Sequence, residues 1–170
     1  MAGLAHLGVG FAAKRAVPEV PLGLLLPCSM ALDILSIGLT FAGIESHGNV
    51  PYSHGLLGSL IISAVVFPIA LLISRNIRIG IVLSLVVFSH WILDFMTWPM
   101  KAVYADAEGV PVFFDNSLKI GIGLHSNIVA ALIVEFLFLG AGVAVYIVTL
   151  EKIRKNNNSS NMQLTCRGKL

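Results

Sequence analysis

Charged residues are scarce in this chain of 170 residues. They make up 12% of the sequence, whereas hydrophobic residues make up 56%, and the mean hydropathy is +0.88. A soluble domain carries about 25% charged residues, so this composition excludes an ordinary soluble domain and predicts a membrane protein. The formal net charge is only +2 and the basic residues flank apolar segments, which argues against a nucleic-acid partner.

Cysteine is almost absent as well. Cys28 lies in an apolar segment and Cys166 in a polar tail, a spacing that predicts neither a metal-binding motif nor a disulfide. A cleavable signal peptide is also not predicted. The apolar stretch that follows Lys14 and Arg15 is long and lacks a small-x-small exit, so we expect it to remain as a membrane span.

Long apolar runs dominate the rest of the chain. Four are long enough to cross about 30 Å of hydrocarbon, and they cover residues 22–44, 54–74, 77–98 and 120–150. The sequence therefore predicts an all-α fold: an integral membrane bundle of four transmembrane helices plus a short N-terminal apolar helix, forming a single domain over residues 1–155. Residues 156–170 are rich in Asn and Ser and predict a disordered cytoplasmic tail.

The distribution of basic residues predicts the orientation. They precede the first span, separate the second from the third, and follow the fourth, at Lys14, Arg15, Arg75, Arg78, Lys152, Arg154 and Lys155. The loop over residues 45–53 has no Lys or Arg, and the loop over 99–119 has only two. The positive-inside rule therefore predicts both termini in the cytoplasm, in the inner membrane of a prokaryote.

A histidine and an aspartate, His90 and Asp94, lie four residues apart inside the third span. On a helix, this spacing places both side chains on one face. Ionisable groups at membrane depth are costly, so we expect this pair to face the protein interior and to serve a function. Asp33 in the first span and His54 at the start of the second are predicted at a similar depth, in the outer half of the bundle.

Two further polar residues lie in or near the fourth span. His125, near its outer start, is a candidate for the same group, with a role as a helix cap or as a supporting residue. Glu135 is predicted to lie too deep, about 22 Å below the outer end of the helix.

Imidazoles and carboxylates together form a donor set for a divalent transition metal, with zinc the expected ion and manganese the alternative. A metal lowers the pKa of its water toward neutrality, and a spare carboxylate can take the proton. The cluster therefore predicts a metal-dependent hydrolase in which Asp33 and Asp94 are catalytic. Its site in the outer half of the bilayer predicts a membrane lipid or a lipid-linked ester or phosphoester as substrate.

Four motifs resemble a known family. They are Leu-Ala-His-Leu-Gly-Val-Gly around His6, the apolar Pro-containing run before Asp33, Tyr-Ser-His-Gly at His54, and Ser-His-Trp-Ile-Leu-Asp ending at Asp94. Together they resemble the YdjM-like family of predicted membrane-bound metal-dependent hydrolases, which are distantly similar to zinc-dependent phospholipase C. The likeness covers roughly residues 4–100. It implies a helical bundle with a metal site carried by His54, His90 and Asp94, with Asp33 and His6 as further candidates.

Each of these residues also has a structural interpretation. His90 and Asp94 can be a hydrogen-bonded pair between helices, and His54 can be a helix cap. His6 is a surface histidine unless residues 2–13 dip into the bundle. Close packing between helices is predicted at Gly38, Gly43, Gly140 and Gly142.

Two other functions remain open. The same cluster suits a cation or proton transporter, which would need polar residues to continue toward the cytoplasm, and only Glu135 does so. A non-catalytic scaffold or partner-binding protein would need no metal. A homodimer that completes the cavity is also consistent with so few spans.

Overall fold

The computed structural model describes residues 3–46, 49–99, 108–115 and 117–167. These residues are mostly helical, which confirms the all-α prediction. The helices are α1 (Leu4–Ala13), α2 (Leu22–Ser29), α3 (Ala31–Phe41), α4 (Leu56–Ser74), α5 (Ile77–Thr97) and α6 (Ile128–Arg167). A two-stranded antiparallel hairpin, β1 (Val110–Pro111) and β2 (Lys119–Ile120), lies between α5 and α6.

Among the described residues, three helices are long and apolar enough to cross a membrane: α4, α5 and residues 128–156 of α6. The helices α2 and α3 form a fourth candidate span if they are counted together, but they are bent by 58° at Met30. Pro27 lies in the last turn before this bend, and the Ser29 hydroxyl donates to the Leu26 carbonyl at 2.8 Å. Proline and serine back-bonding both weaken a helix locally, so the predicted span 22–44 is a broken one.

The helices α4 and α5 form a tight hairpin. Arg75 turns the chain in a left-handed conformation, and the Asn76 side chain caps α5 by accepting from the Arg78 N–H at 3.0 Å. Further along, the Ser84 hydroxyl donates to the Ser63 carbonyl at 2.7 Å. The hairpin brings the start of α4 level with the end of α5.

An apolar core lies at the opposite end of these helices. It joins the end of α1, the α1–α2 connection and α2 to the end of α4 and the first half of α5, through Ala13, Val17, Val20, Leu25, Ala70, Ile79, Leu83 and Val86. Apolar packing therefore holds one end of the bundle together, and the other end is left for polar side chains.

The short helix α1 packs along α6 in a parallel direction. The Ala5 N–H donates to Glu135 Oε2 at 2.8 Å, and the rings of Phe11 and Tyr146 lie 5.5 Å apart. Between them, a Cβ atom built on Gly142 would collide with the carbonyl oxygen of Gly8. The helix α1 therefore dips into the bundle between its neighbours and does not lie on the surface.

The helix α6 begins at Ile128, so the prediction that its span starts at residue 120 is wrong. The backbone N–H groups of residues 123–125 instead donate to the carbonyls of residues 96–98 at the end of α5. Gly121 lies so close to the Trp98 carbonyl that no side chain fits there, and Gly123 has a φ of +78°. Asn127 then caps α6 by accepting from the Ala130 N–H at 2.8 Å.

At its other end, α6 continues to Arg167, through most of the segment for which the sequence predicts disorder. The chain has neither glycine nor proline between Gly142 and Gly168. These are the residues that most strongly interrupt a helix, so no local signal ends this one earlier.

The glycine predictions are confirmed only in part. Gly142 is a close helix contact, but a Cβ atom at Gly38, Gly43 or Gly140 would have no neighbour within 4 Å. Gly43 instead follows the end of α3 with a φ of +73°, a left-handed conformation that glycine adopts without strain.

The α1–α6 contact predicts that Gly142→Ala destabilises the protein. The added methyl must push α1 away from α6, and overpacking of this kind costs about 1–3 kcal/mol. Gly140→Ala, two residues away on the same helix, has open space and should leave stability unchanged or slightly raised. Thermal unfolding of the two detergent-purified variants measures the difference. Equal melting temperatures would contradict the close packing.

Candidate metal centre

Five side chains meet at the end of the bundle opposite the apolar core, and we call them the His/Asp cluster. They are His6 on α1, Asp33 on α3, His54 just before α4, and His90 and Asp94 on α5. Five imidazole–carboxylate contacts of 3.2 to 3.8 Å join them. All except Asp33 are buried, and the Asp33 side chain is 25% exposed. The fold therefore brings together Asp33, His54, His90 and Asp94, as the sequence predicts, and adds His6 to them.

The donor atoms of the His/Asp cluster fall into two groups that share His90. One group contains His6, His90 and Asp94, and the other contains Asp33, His54 and His90. Within each group, the donor atoms lie within 4.8 Å of one another. Imidazole nitrogens and carboxylate oxygens are suitable ligands for zinc and for other divalent ions. Each group can therefore hold a metal ion.

Two atoms in the centre of the cluster lack a hydrogen bond. Within the described part of the chain, neither His90 Nε2 nor Asp94 Oδ2 has a partner, although both are buried. The nearest opposite atoms are each other, at 3.6 Å, which is too long for a hydrogen bond. Buried polar atoms without a partner are rare and costly, so these atoms fit a site that receives a ligand.

The break between α2 and α3 orients His90. Its Nδ1 lies 2.9 Å from the carbonyl oxygen of Ser29, the last residue of α2. A carbonyl only accepts hydrogen bonds, so Nδ1 carries the proton and Nε2 presents its lone pair to the cluster. This is the tautomer that a metal requires, and a backbone carbonyl commonly fixes it in metal sites.

A second chain of hydrogen bonds orients His54. Glu45 Oε2 accepts from the Ser53 hydroxyl at 2.7 Å, so the Ser53 oxygen accepts from Nδ1–H of His54 at 2.8 Å. Glu45 Oε1 also accepts the backbone N–H groups of Tyr52 and Ser53. The interpretation of His54 as a helix cap is wrong, since the residue at the N-cap of α4 is Gly55 and no side chain caps it.

His54 Nε2 faces Asp33 Oδ1 at 3.2 Å. Burial opposes the charged imidazole, but the hydrogen bond to Asp33 and the nearby carboxylates of Asp94 and Glu45 outweigh it and raise the pKa of His54. A metal ion bound between these two side chains would take the place of a proton on Nε2.

His6 is buried against His90, with ring centroids 3.8 Å apart, and its Nε2 lies 3.5 Å from Asp94 Oδ1. The interpretation of His6 as a surface residue is therefore wrong. Its place depends on α1, because the N–H of the preceding residue, Ala5, is held by Glu135.

The sequence predicts that Glu135 lies deep below the cluster. In the structure, it lies beside the cluster. The error came from the helix start: Glu135 is seven residues after Ile128, or about 10 Å along the helix. Its Oε1 lies 3.7 Å from Nε2 of His125, which is also buried. Burial lowers the pKa of His125. The predicted cap role of His125 belongs to Asn127, and His125 contacts Glu135 outside both donor groups.

Glu45 is not predicted as a site residue, because in the sequence it is only the first residue of a loop without basic side chains. It is a buried carboxylate that organises the residues around His54. No local motif marks it, because its partners lie seven and eight residues further along a turn.

Comparisons of the chain with protein-family models, with curated proteins and with solved structures gave no match. The resemblance to the YdjM-like family therefore depends on the sequence motifs alone and stays a prediction.

The hydrogen-bond chain to His54 predicts that Ser53→Ala weakens metal binding by about 10- to 100-fold, the usual effect of removing a group that orients a metal ligand. The number of ions bound should not change. Competition with a chelator measures the affinity. Ser117→Ala is the matched control, because it removes an equivalent serine–carboxylate hydrogen bond, to Asp115, at an exposed site. Equal affinities in the two variants would contradict the role of Ser53.

Proposed function

We propose that this chain is a membrane-bound metal-dependent hydrolase whose His/Asp cluster binds a divalent ion, with zinc expected and manganese the alternative. The observation that carries the proposal is the pair of unpartnered buried atoms, His90 Nε2 and Asp94 Oδ2, at the centre of five convergent donors. A purely structural histidine–aspartate pair would satisfy these atoms with each other, and it does not do so here.

The exposure of Asp33 and Asp94 indicates the role of each carboxylate in the reaction. A bound divalent ion supplies a Lewis acid that activates water at neutral pH. Hydrolysis then puts the water oxygen on the phosphorus or carbonyl atom, breaks its bond to the ester oxygen, and moves one proton to that leaving oxygen. Asp33, the only partly exposed member of the cluster, accepts the proton from water. Asp94 is catalytic as the buried carboxylate that touches all three histidines.

The surroundings of Asp33 support a lipid or lipid-linked ester or phosphoester as the substrate. Asp33 lies in the first turn of α3, and its neighbours on that helix, Ile34 and Ile37, are more than half exposed. The partly open carboxylate therefore lies beside an apolar surface. Such a surface in a chain with three to four candidate spans faces lipid, from which an acyl chain can approach the site.

The ends of the helices support the proposed orientation. The cluster lies where α4 begins and α5 ends, whereas Arg75 and Arg78 lie at the turn where α4 ends and α5 begins. By the positive-inside rule, the cluster is in the outer half of a prokaryotic inner membrane, and the C-terminus and the end of α1 beside Lys14 are cytoplasmic. The start of α1 lies at the cluster, so the helix geometry does not support a cytoplasmic N-terminus.

A transporter has less support than a hydrolase. A transporter would need Glu135 as a polar residue well below the cluster. Glu135 instead accepts a hydrogen bond from α1, beside His6. A non-catalytic scaffold is distinguished by experiment, because it needs no metal. A homodimer is not needed to supply donors, since all five come from one chain.

The test is the metal content of the detergent-purified protein, with a parallel assay of lipid ester and phosphoester hydrolysis. We expect metal in the wild-type protein and its loss in His90→Ala and Asp94→Ala. Hydrolysis should fall by about 100-fold or more in both variants, as is usual when an acid–base or metal-activating group is removed. Asp115→Asn, at an exposed carboxylate, is the control and should keep both properties.

Two results would overturn the proposal. A folded wild-type protein that binds no metal, even after metal is supplied, would leave the scaffold as the best interpretation. Metal that persists in both variants would show that the ion is held elsewhere.

A further inference from the structure

The His/Asp cluster has more donors than one zinc ion uses. Catalytic zinc sites commonly have three protein ligands and one open position, and structural zinc sites have four ligands. The cluster offers three imidazoles and two carboxylates. These five residues fall into two groups of three, each compact enough for one ion.

Asp94 belongs to the first group but also approaches His54 of the second, and its two oxygens face different histidines. Oδ1 lies 3.5 Å from His6 Nε2, while Oδ2 lies 3.8 Å from His54 Nε2 and 3.6 Å from His90 Nε2. Asp33 Oδ1 completes the second side, at 3.2 Å from His54 and 3.7 Å from His90. A carboxylate with its oxygens directed at two sets of ligands has the arrangement of a bridge between two ions.

We propose that the cluster is a dinuclear metal site bridged by the Asp94 carboxylate. His6, His90 and Asp94 Oδ1 would hold one ion, and Asp33, His54 and Asp94 Oδ2 would hold the other. His90 is close to both groups, but its Nε2 has a single lone pair and binds only one ion. This inference rests on the proposed function and deepens it, because the number of ions also decides the class of substrate.

The charge of the cluster supports a phosphoester over a carboxylic ester. Its two carboxylates match the charge of one divalent ion, so a second ion leaves a formal excess of two positive charges. Glu45 and Glu135 reduce this excess, but they belong to neither donor group, so the set of ligands around the ions itself stays positive. A buried positive excess favours an anionic substrate, and a pair of ions suits the attacking and leaving oxygens of a phosphoester. A neutral carboxylic ester has no charge to offset it.

The first experiment counts ions. The wild-type protein is saturated with Mn²⁺, freed of excess ion, and analysed for metal per chain and by electron paramagnetic resonance. We expect about two ions per chain and a spin-coupled spectrum, since paired catalytic ions lie about 3.5–4 Å apart. His6→Ala and His54→Ala should each keep about one ion and give the six-line spectrum of an isolated Mn²⁺. Asp94→Ala should lose the coupling.

His125→Ala is the matched control. It removes a buried imidazole beside the cluster but outside both donor groups, and it should keep two coupled ions. Loss of an ion in this variant would overturn the assignment of ligands. The wild-type spectrum does not depend on whether any variant folds, so the bridge remains testable if a variant is unstable.

The outcomes separate the two proposals. One ion per chain at saturation, with an uncoupled spectrum, would overturn the dinuclear site but leave a metal-dependent hydrolase. No bound ion would overturn both. With two ions bound, a phosphoester lipid should be hydrolysed at least 10-fold faster than a carboxylic ester with the same acyl chains. The reverse preference would overturn the substrate class.

Discussion

The carboxylate of Asp94 is the constraint on which the rest of the structure depends. A buried charge without a partner costs several kcal/mol, and the apolar surroundings of a membrane helix supply none. His6, His54 and His90, which come from three separate parts of the chain, lie 3.5 to 3.8 Å from Asp94, and a metal ion bound among them would supply the missing positive partner. The α4–α5 hairpin and the insertion of α1 can both be understood as ways to bring these imidazoles to one carboxylate.

The break between α2 and α3 connects the fold to the chemistry. A continuous helix would bond the Ser29 carbonyl within itself, but the bend at Met30 leaves this carbonyl for His90 Nδ1. The same bend places Asp33 in the first turn of a new helix, where the helix dipole favours a carboxylate. One irregularity thus fixes a histidine tautomer and positions the most exposed acidic group of the cluster.

Hydropathy and helical spacing predict much of this arrangement. The spacing of His90 and Asp94 survives in the structure because both lie on one regular helix, and the spans around α4 and α5 are close to those observed. Predictions fail where tertiary contacts decide the backbone. The sequence predicts that the fourth span begins at residue 120, but the backbone N–H groups of residues 122–125 donate to the carbonyls at the end of α5 instead. The role of Glu45 depends on a turn that brings it back to Ser53, and no local pattern encodes that contact.

The parallel contact between α1 and α6 has a consequence for biosynthesis. The helix α1 docks against α6, which is translated much later, through Gly8 and Gly142 and through the hydrogen bond from Ala5 to Glu135. With only ten residues, α1 is too short to span a bilayer by itself. The helix α1 therefore lacks its partner α6 while the intervening helices enter the membrane. His6 reaches its final position only when α6 holds α1 in place, whereas the other four donors of the cluster come from residues 33–94 and do not depend on α6 in this way.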